Sequence, residues 1–222
     1  MGAARRGRNS LPELRDLERG VLKDWFAGQG RIFQEDPTLK LERCQSHGEH
    51  RVGFHHDTDC WWKTTHPGKC GVGAEFDYGD LPPFEIAGIS ARELLPSEYL
   101  DRLLLFNREF GDDIRIEGFL DADLPSLVIS QPDIVGSPAT AEQMKDEMLV
   151  SGYKTLPGVQ LGKAGSISFY NPESRIALFD AHPGNFFHAK GMTLPIDGII
   201  LQITNDSEHD WLCARAAVPN SF

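Results

Sequence analysis

The chain has 222 residues, which is enough for one large domain or two small ones with a sizeable core. Hydrophobic residues make up 40% and charged residues 25% of the chain, as in ordinary soluble globular proteins. The formal net charge of −11 argues against general binding to nucleic acid or to an anionic membrane. Four cysteines, with no apolar run of membrane-span length, predict reduced thiols in a cytoplasmic protein.

The chain opens with a tail and an amphipathic helix. Residues 1–9 are predicted to be disordered, and 10–44 to form an N-terminal helix and a linker. Ser10 and Glu13 form the sequence pattern of a capping box, and Gly28 is a stop signal. The helix between them has one apolar face, made of Leu11, Leu14, Leu17, Val21, Leu22 and Trp25.

The next segment predicts a hairpin, a loop and a helical block. Two short apolar strands within 50–65 are separated by a polar turn, which is typical of a β-hairpin. Residues 66–89 are rich in Gly and Pro and are predicted to be loop. Ser90 and Glu93 predict a helix start, which Pro96 breaks, and a second helix then runs from Ser97 to a stop at Gly111.

The second half of the chain predicts further strands around one capped helix. The helix covers Thr140 to Val150, with Gln143 completing its capping box. The predicted strands are Ile114–Phe119, Ser126–Ser130, Ile167–Tyr170, Arg175–Phe179 and Met192–Ile196. Such an order of strands and helices predicts an α+β domain.

A run of polar residues near the C-terminus predicts phosphoryl-transfer chemistry. Asn185 follows Asp180 by five residues, and Asp197 follows Asp180 by seventeen, after a short apolar strand. In phosphoryl transfer one carboxylate orients the attacking hydroxyl and accepts its proton, while an amide oxygen and a second carboxylate hold Mg²⁺. The sequence from Asp180 to Asn185 is also good turn chemistry, so a purely structural turn stays open.

Lys63 ends a predicted hairpin strand, where it could hold the phosphates of ATP. Glu98, in the first turn of the next long helix, is a candidate partner for Lys63, preferred over Glu109. Glu98 could equally serve only to complement the helix dipole. Lys63 could likewise be a solvated strand lysine.

Two further segments are candidate nucleotide contacts. The strand that includes Ser130 and Gln131 ends at Pro132 and could bind adenine through its backbone, although an interior strand would have the same pattern. Glu49, in the sequence His47 to His50, could cover phosphates. The cysteines and histidines between Cys44 and Cys70 leave open a zinc site, although that segment contains no Cys-x-x-Cys pair.

Seven stretches in collinear order resemble the kinase domains of bacterial and phage polyvalent proteins, which are serine/threonine/tyrosine-kinase-like and distantly similar to aminoglycoside phosphotransferases. The stretches, which span about 45 to 200, are Gly48–His50, Cys60–Gly68, Pro96–Leu100, Phe110–Arg115, Val128–Pro132, Phe179–Asn185 and Pro195–Asp197. The chain departs from standard protein kinases in lacking His-Arg-Asp and Asp-Phe-Gly.

The resemblance implies a protein-kinase-like fold for 45–222, with an N-terminal lobe of antiparallel sheet and one long helix at about 45–132 and a reduced C-terminal lobe at about 133–222. It implies ATP and Mg²⁺ as cofactors and an unknown hydroxyl acceptor, either a protein or a small molecule. The residues carried over are Lys63, Glu98, Asp180, Asn185 and Asp197. Two alternatives stay open: a catalytically idle module that binds nucleotide or a partner, and a zinc-stabilised interaction domain.

Overall fold

The computed structural model describes residues 10–80 and 85–217 and has α+β architecture. The helices are α1 (Leu11–Gly28), α2 (Pro96–Phe110), α3 (Ala141–Val150) and α4 (Asp206–Ala216). The predicted disordered tail, residues 1–9, lies outside the described residues. Within the described ranges, no helix combines the length and the apolar character that crossing a membrane requires.

Fifteen strands are assigned within the described residues, many of them short. They are β1 (Ile32–Phe33), β2 (Glu42–His47), β3 (His50–His55), β4 (Cys60–Thr65), β5 (Val72–Tyr78), β6 (Ile86–Glu93), β7 (Arg115–Leu120), β8 (Ser126–Pro132), β9 (Ser137–Pro138), β10 (Lys154–Thr155), β11 (Ile167–Asn171), β12 (Ile176–Ala181), β13 (Phe186–Ala189), β14 (Met192–Pro195) and β15 (Ile199–Gln202).

The chain divides into two compact units. The first unit comprises Met1–Val72, Glu93–Leu104 and Asp112–Asp133, and the second comprises Gly73–Arg92, Leu105–Gly111 and Ile134–Phe222. The predicted N-terminal helix and linker, 10–44, belong to the first unit.

The first unit is built on a six-stranded sheet of order β1-β7-β8-β4-β3-β2. Its neighbouring strands are antiparallel, apart from the parallel pair β1 and β7. The predicted hairpin is confirmed, since β3 pairs with β4 from His50 opposite Thr65 to His55 opposite Cys60. Burial of one sheet face against α1 and α2 forms a core that includes Phe26, Tyr99, Phe119, Leu127 and Ile129.

Helix α1 forms where the sequence predicts it, but its apolar face does not become the core. The capping box of Ser10 and Glu13 is present, and the helix ends at Gly28. The side chain of Phe26 is fully buried and Leu22 packs against the core, whereas Leu17 and Val21 are exposed. Polar contacts from Arg15 to Glu93 and from Ser97 to Glu18 also hold the helix, which helical periodicity alone did not predict.

The second unit contains two further sheets, a two-stranded ladder and two complete helices. The sheets are β10-β11-β12-β15 and β14-β13-β9, and β5 pairs with β6. The helix α4 contacts β11 through His209, whose ring accepts from or donates to the Tyr170 hydroxyl at 2.5 Å. Buried side chains that form this core include Met144, Met148, Phe169, Phe179, Phe186 and Leu212.

The prediction of loop for 66–89 is wrong, because this segment contributes β5 and the start of β6. The ring of Trp211 on α4 packs edge-on against Phe76, and its indole N–H donates to the carbonyl of Ile86. These contacts come from residues more than a hundred positions away, so local Gly and Pro content does not reveal them.

The predicted helix start at Ser90 is also wrong. Ser90 lies within β6, and its hydroxyl donates across the ladder to the carboxylate of Asp77 at 2.8 Å. Glu93 pairs with Arg15 on α1 and does not cap a helix. The helix predicted after Pro96 is confirmed as α2, and the residue after it, Gly111, has the left-handed backbone of a helix stop.

Candidate functional site

Asp180 lies in an irregular part of the β11–β12 ladder. Ile167 pairs with Ala181, while Phe169 pairs with Leu178, so β12 contains one residue more than β11 between these pairs. Asp180 is in this bulge and has a φ of 59°. A positive φ is uncommon for a residue other than glycine, and bulges redirect side chains out of the regular alternation of a strand. The bulge, and not the regular alternation of side chains along β12, therefore determines the direction of the Asp180 carboxylate.

The Asp180 carboxylate contacts the loop that precedes β11. The backbone N–H of Lys163 donates to Asp180 Oδ1 at 2.7 Å. Gly162, with a φ of 89°, lies so close that an added Cβ would be 2.3 Å from Asp180 Cγ. The sequence analysis missed this loop. Its only signal is the Gly-Lys-Ala-Gly run, which is too short to point to a distant carboxylate.

The turn after Asp180 brings Asn185 back to it. Pro183–Asn185 forms a short 3-10 turn, and the Asn185 side-chain amide donates to the backbone carbonyl of Asp180 at 2.9 Å. His182 Nδ1 accepts from the N–H of Gly184 at 3.1 Å, so the histidine is bonded to neighbouring backbone. The loop is thus held by its own side chains.

Asp197 lies beside the same turn. The hairpin of β13 and β14 returns the chain, so that the N–H of Ile196 donates to the carbonyl of Asn185 at 2.8 Å. Asp197 Oδ1 accepts from the N–H of Gly198 at 2.8 Å. Gly198 has a φ of 154°, and a Cβ there would be 2.8 Å from Leu178 Cδ1. The backbone segments that carry Asp180, Asn185 and Asp197 are therefore neighbours in the second unit.

The donor set of this region suits a hard cation. Asn185 and Asp197 offer an amide oxygen and carboxylate oxygens, which are ligands that Mg²⁺ takes while keeping several waters. No group of three or more His, Cys, Asp or Glu side chains among residues 10–80 and 85–217 is arranged to hold a metal ion. A small cation site at this turn would thus rest on two protein ligands with solvent and ligand oxygens.

Lys63 lies in the first unit, on a strand with partners on both sides. It is opposite Val52 on β3 and Ile129 on β8. Its ammonium donates to Gln131 Oε1 at 2.5 Å, and the Gln131 amide donates in turn to the carboxylate of Asp112. The structure thus joins two predicted nucleotide contacts, Lys63 and Gln131, by a direct hydrogen bond.

Ser130 is on an interior strand, the alternative that its sequence left open. Its backbone lies opposite Trp62 on β4 and Arg115 on β7, and its hydroxyl donates to Glu117 Oε1 at 2.5 Å. Strand β7 begins at Arg115, which is opposite Ser130, so β8 extends past the end of β7. Beyond Ser130, β8 pairs with β4, where Gln131 lies opposite Trp61. A backbone contact to adenine would therefore fall at Gln131 or beyond.

Glu49 and Glu98 make structural contacts within the first unit. Glu49 lies in the turn between β2 and β3, and the Arg102 guanidinium donates to both of its carboxylate oxygens, at 2.9 and 2.6 Å. The N–H of Val72 also donates to Glu49, at 2.9 Å. Glu98 accepts from the N–H of Leu95 at 2.9 Å, as a carboxylate at a helix N-terminus does. Their predicted roles toward a nucleotide stay predictions.

Glu109, the second acidic candidate on α2, is in the second unit. Its carboxylate accepts from the Tyr153 hydroxyl at 2.6 Å. Burial, together with this hydrogen bond, raises the pKa of Tyr153 above its usual range. Glu109 is therefore part of the packing of α2 in the second unit.

The cysteines give no support to the zinc alternative. All four are free thiols; Cys44 is exposed, whereas Cys70 is buried. Burial raises the pKa of the Cys70 thiol and so disfavours the thiolate that zinc requires.

Comparisons with protein-family models, with curated proteins and with solved structures give no match to this chain. The functional argument accordingly rests on the residues and contacts described above.

Proposed function

We propose that the protein is an ATP- and Mg²⁺-dependent phosphotransferase with a kinase-like fold, similar to the kinase domains of polyvalent proteins. The supporting observation is the hydrogen bond from the Asn185 amide to the Asp180 carbonyl. It fixes the Asn185 side chain through its nitrogen, which leaves the amide oxygen as the atom suited to a cation. Asp197 follows the β13–β14 hairpin and comes two residues after the end of β14 at Pro195.

Strand order in the first unit agrees with the same proposal. Antiparallel strands β2, β3 and β4 are followed by α2 and then by β7 and β8, and β8 inserts between β4 and β7 in the sheet. These strands and α2 agree with the antiparallel sheet and one long helix that the resemblance implies for an N-terminal lobe, whereas α1, β1 and the β5–β6 ladder are not part of what it implies. Fold alone does not define an activity, so the polar residues carry the functional part of the proposal.

Each residue has a role in the proposed reaction. Asp180 orients the acceptor hydroxyl and accepts its proton as the hydroxyl oxygen attacks the γ-phosphorus, while the bond from that phosphorus to the β,γ-bridging oxygen breaks and ADP leaves. Asn185 and Asp197 hold the cation, and Lys63, aided by Glu98, holds the phosphates. When bound, ATP supplies the phosphoryl group, and Mg²⁺ neutralises negative charge on the phosphates. The acceptor is a hydroxyl compound, either a protein or a small molecule.

A second candidate is a catalytically idle module that binds nucleotide or a partner. The observation that favours it is the engagement of Asp180 Oδ1 by the Lys163 backbone and of Lys63 by Gln131. In an idle module these bonds serve only to hold each unit together. In an enzyme they orient groups whose remaining atoms act on the substrate.

Titration calorimetry of Mg²⁺-ATP, combined with an ATP turnover assay, tests the proposal. Asp197→Asn should weaken Mg²⁺-dependent binding, because carboxylates bind hard cations far better than amides do. Asp180→Asn should preserve binding and abolish turnover, since it acts on the hydroxyl. Binding without turnover above the Asp180→Asn background would favour the idle module. No nucleotide binding at all would exclude the phosphotransferase and any idle module that acts by binding nucleotide.

A further inference from the structure

Helix α1 carries a stripe of large apolar side chains that the first unit leaves exposed. Leu17, Val21 and Trp25 follow one another at four-residue intervals and are 59%, 63% and 52% exposed. Leu11, at the start of the same helix, is 51% exposed but lies about 120° around the helix axis from Leu17, so it is not part of this row. Residues four apart lie on the same helix face, so Leu17, Val21 and Trp25 form a continuous stripe about 12 Å long.

Other sides of α1 are held to the first unit by polar contacts. Glu18 accepts from the Ser97 N–H at 2.9 Å and from the Ser97 hydroxyl at 3.0 Å. Lys23 pairs with Asp121 at 2.8 Å, and Arg15 with Glu93 at 3.5 Å. These contacts fix which face points outward. Because these contacts hold the helix, the apolar stripe is already formed and exposed in the protein without a partner.

The charges beside the stripe are negative. Glu13 precedes Leu17 by four residues and Asp24 follows Val21 by three, and both carboxylates are exposed. Hydrogen bonds from Ser10 lower the pKa of Glu13, so its charge persists at neutral pH. The basic residues Arg15 and Lys23 instead turn their charges toward carboxylates of the first unit.

We propose that this stripe is a docking surface for an amphipathic helix of a partner protein whose apolar face is bordered by Lys or Arg. A straight, narrow stripe of about two turns, made of side chains four residues apart, fits the ridge-and-groove packing of one helix on another. The acidic border attracts basic flanks and repels a second copy of α1, as does the net charge of −11. The inference does not depend on phosphotransfer, since none of the residues given a role in the proposed reaction belongs to α1.

Fluorescence anisotropy with a designed helical peptide, carrying Leu along one face and Lys on both borders, tests the proposal. The wild-type protein should bind this peptide, and Val21→Asp should weaken binding about tenfold or more. Val21→Gln, which keeps a good helix former, should weaken it in the same direction. Val150→Asp, at a helical position that is 86% exposed, is the matched control and should bind like wild type.

A second pair of probes tests the charge requirement. A peptide with Glu in place of Lys should bind at least tenfold more weakly to the wild type, and Asp24→Lys should reduce that difference. The proposal is overturned if no peptide binds, or if the Val21 and Val150 variants lose binding equally. It is also overturned if sedimentation shows self-association that Val21→Asp abolishes, because a second copy would then be the occupant.

Discussion

The Asp180 carboxylate occupies the space that any side chain at Gly162 would need. A Cβ added at Gly162 would be 2.3 Å from both Cγ and Oδ1 of Asp180, while the neighbouring Lys163 N–H donates to that same oxygen. Contacts of that length do not occur between such atoms, so either the loop or the carboxylate must move. The conformation of the loop at Gly162 and the position of the Asp180 carboxylate therefore depend on each other.

Gly162→Ala should displace the Asp180 carboxylate and abolish most ATP turnover while leaving Mg²⁺-ATP binding largely intact. Gly165→Ala is the matched control, because Gly165 also has a positive φ, 83°, but has nothing within 4 Å of an added Cβ. Both variants should lose about 1 kcal/mol of stability from the backbone conformation. Urea denaturation and turnover assays measure the two effects. Equal loss of turnover in both variants would contradict a role for the close contact.

Asp36→Asn should lower stability at neutral pH by about 2 to 3 kcal/mol, because Asp36 is buried and holds Thr38 and Thr64 by hydrogen bonds at 2.6 and 2.8 Å. Thr64 neighbours Lys63 on β4, so the loss should also reduce nucleotide affinity. Urea midpoints and calorimetry at pH 7 check both. An unchanged urea midpoint would contradict the prediction, because it would mean that an amide at position 36 supports the same stability as the carboxylate.

The stability that Asp36 contributes should depend on pH. Burial acts to raise the pKa of Asp36, but hydrogen bonds from Thr38, Thr64 and Arg51 outweigh it and lower the pKa. A lowered folded-state pKa means that the contribution is complete above the unfolded value of about 3.9 and is lost as pH falls through the folded value. The difference in urea midpoint between wild type and Asp36→Asn should therefore shrink at acidic pH. Asp113→Asn, which alters an exposed ion pair with Arg115, is the control and should change the midpoint little.

His182→Ala should reduce stability by about 1 kcal/mol and leave most turnover intact. His182 Nδ1 accepts from the Gly184 N–H, and the substitution removes only this bond within the turn. His182→Asn, which retains a nearby acceptor, should recover part of the stability. Thermal unfolding and turnover at saturating ATP measure the outcome. Loss of turnover at unchanged stability and unchanged nucleotide affinity would make His182 a participant in the chemistry.

Lys63→Met should cost little stability but weaken Mg²⁺-ATP binding at least tenfold. For stability, the substitution removes only the hydrogen bond to Gln131. For binding, it removes the positive charge that attracts the phosphates. Calorimetry with ATP and with adenosine separates the two effects, since adenosine has no phosphates for Lys63 to hold. Equal weakening for both ligands would assign Lys63 a structural role only.

Local chemistry was sufficient to predict several elements of the fold. The capping boxes at Ser10 and Thr140 form as predicted, because each involves side chains and backbone only three residues apart. The β3–β4 hairpin likewise needs only alternation and a polar turn. The turn from Asp180 to Asn185 is local for the same reason, so its residues could be recognised together.

Contacts between distant segments decided what local patterns could not. The ladder of β5 and β6 forms in a segment rich in Gly and Pro because Trp211, far along the chain, covers it. Asp180 acquires its direction from a bulge and from the loop at Gly162, neither of which leaves a periodic signal. The same holds for α1, where periodicity determined the apolar stripe but polar contacts from Ser97 and Asp121 determined that it faces outward. A pattern along one segment specifies which side chains share a face, whereas only the surrounding segments specify what that face meets.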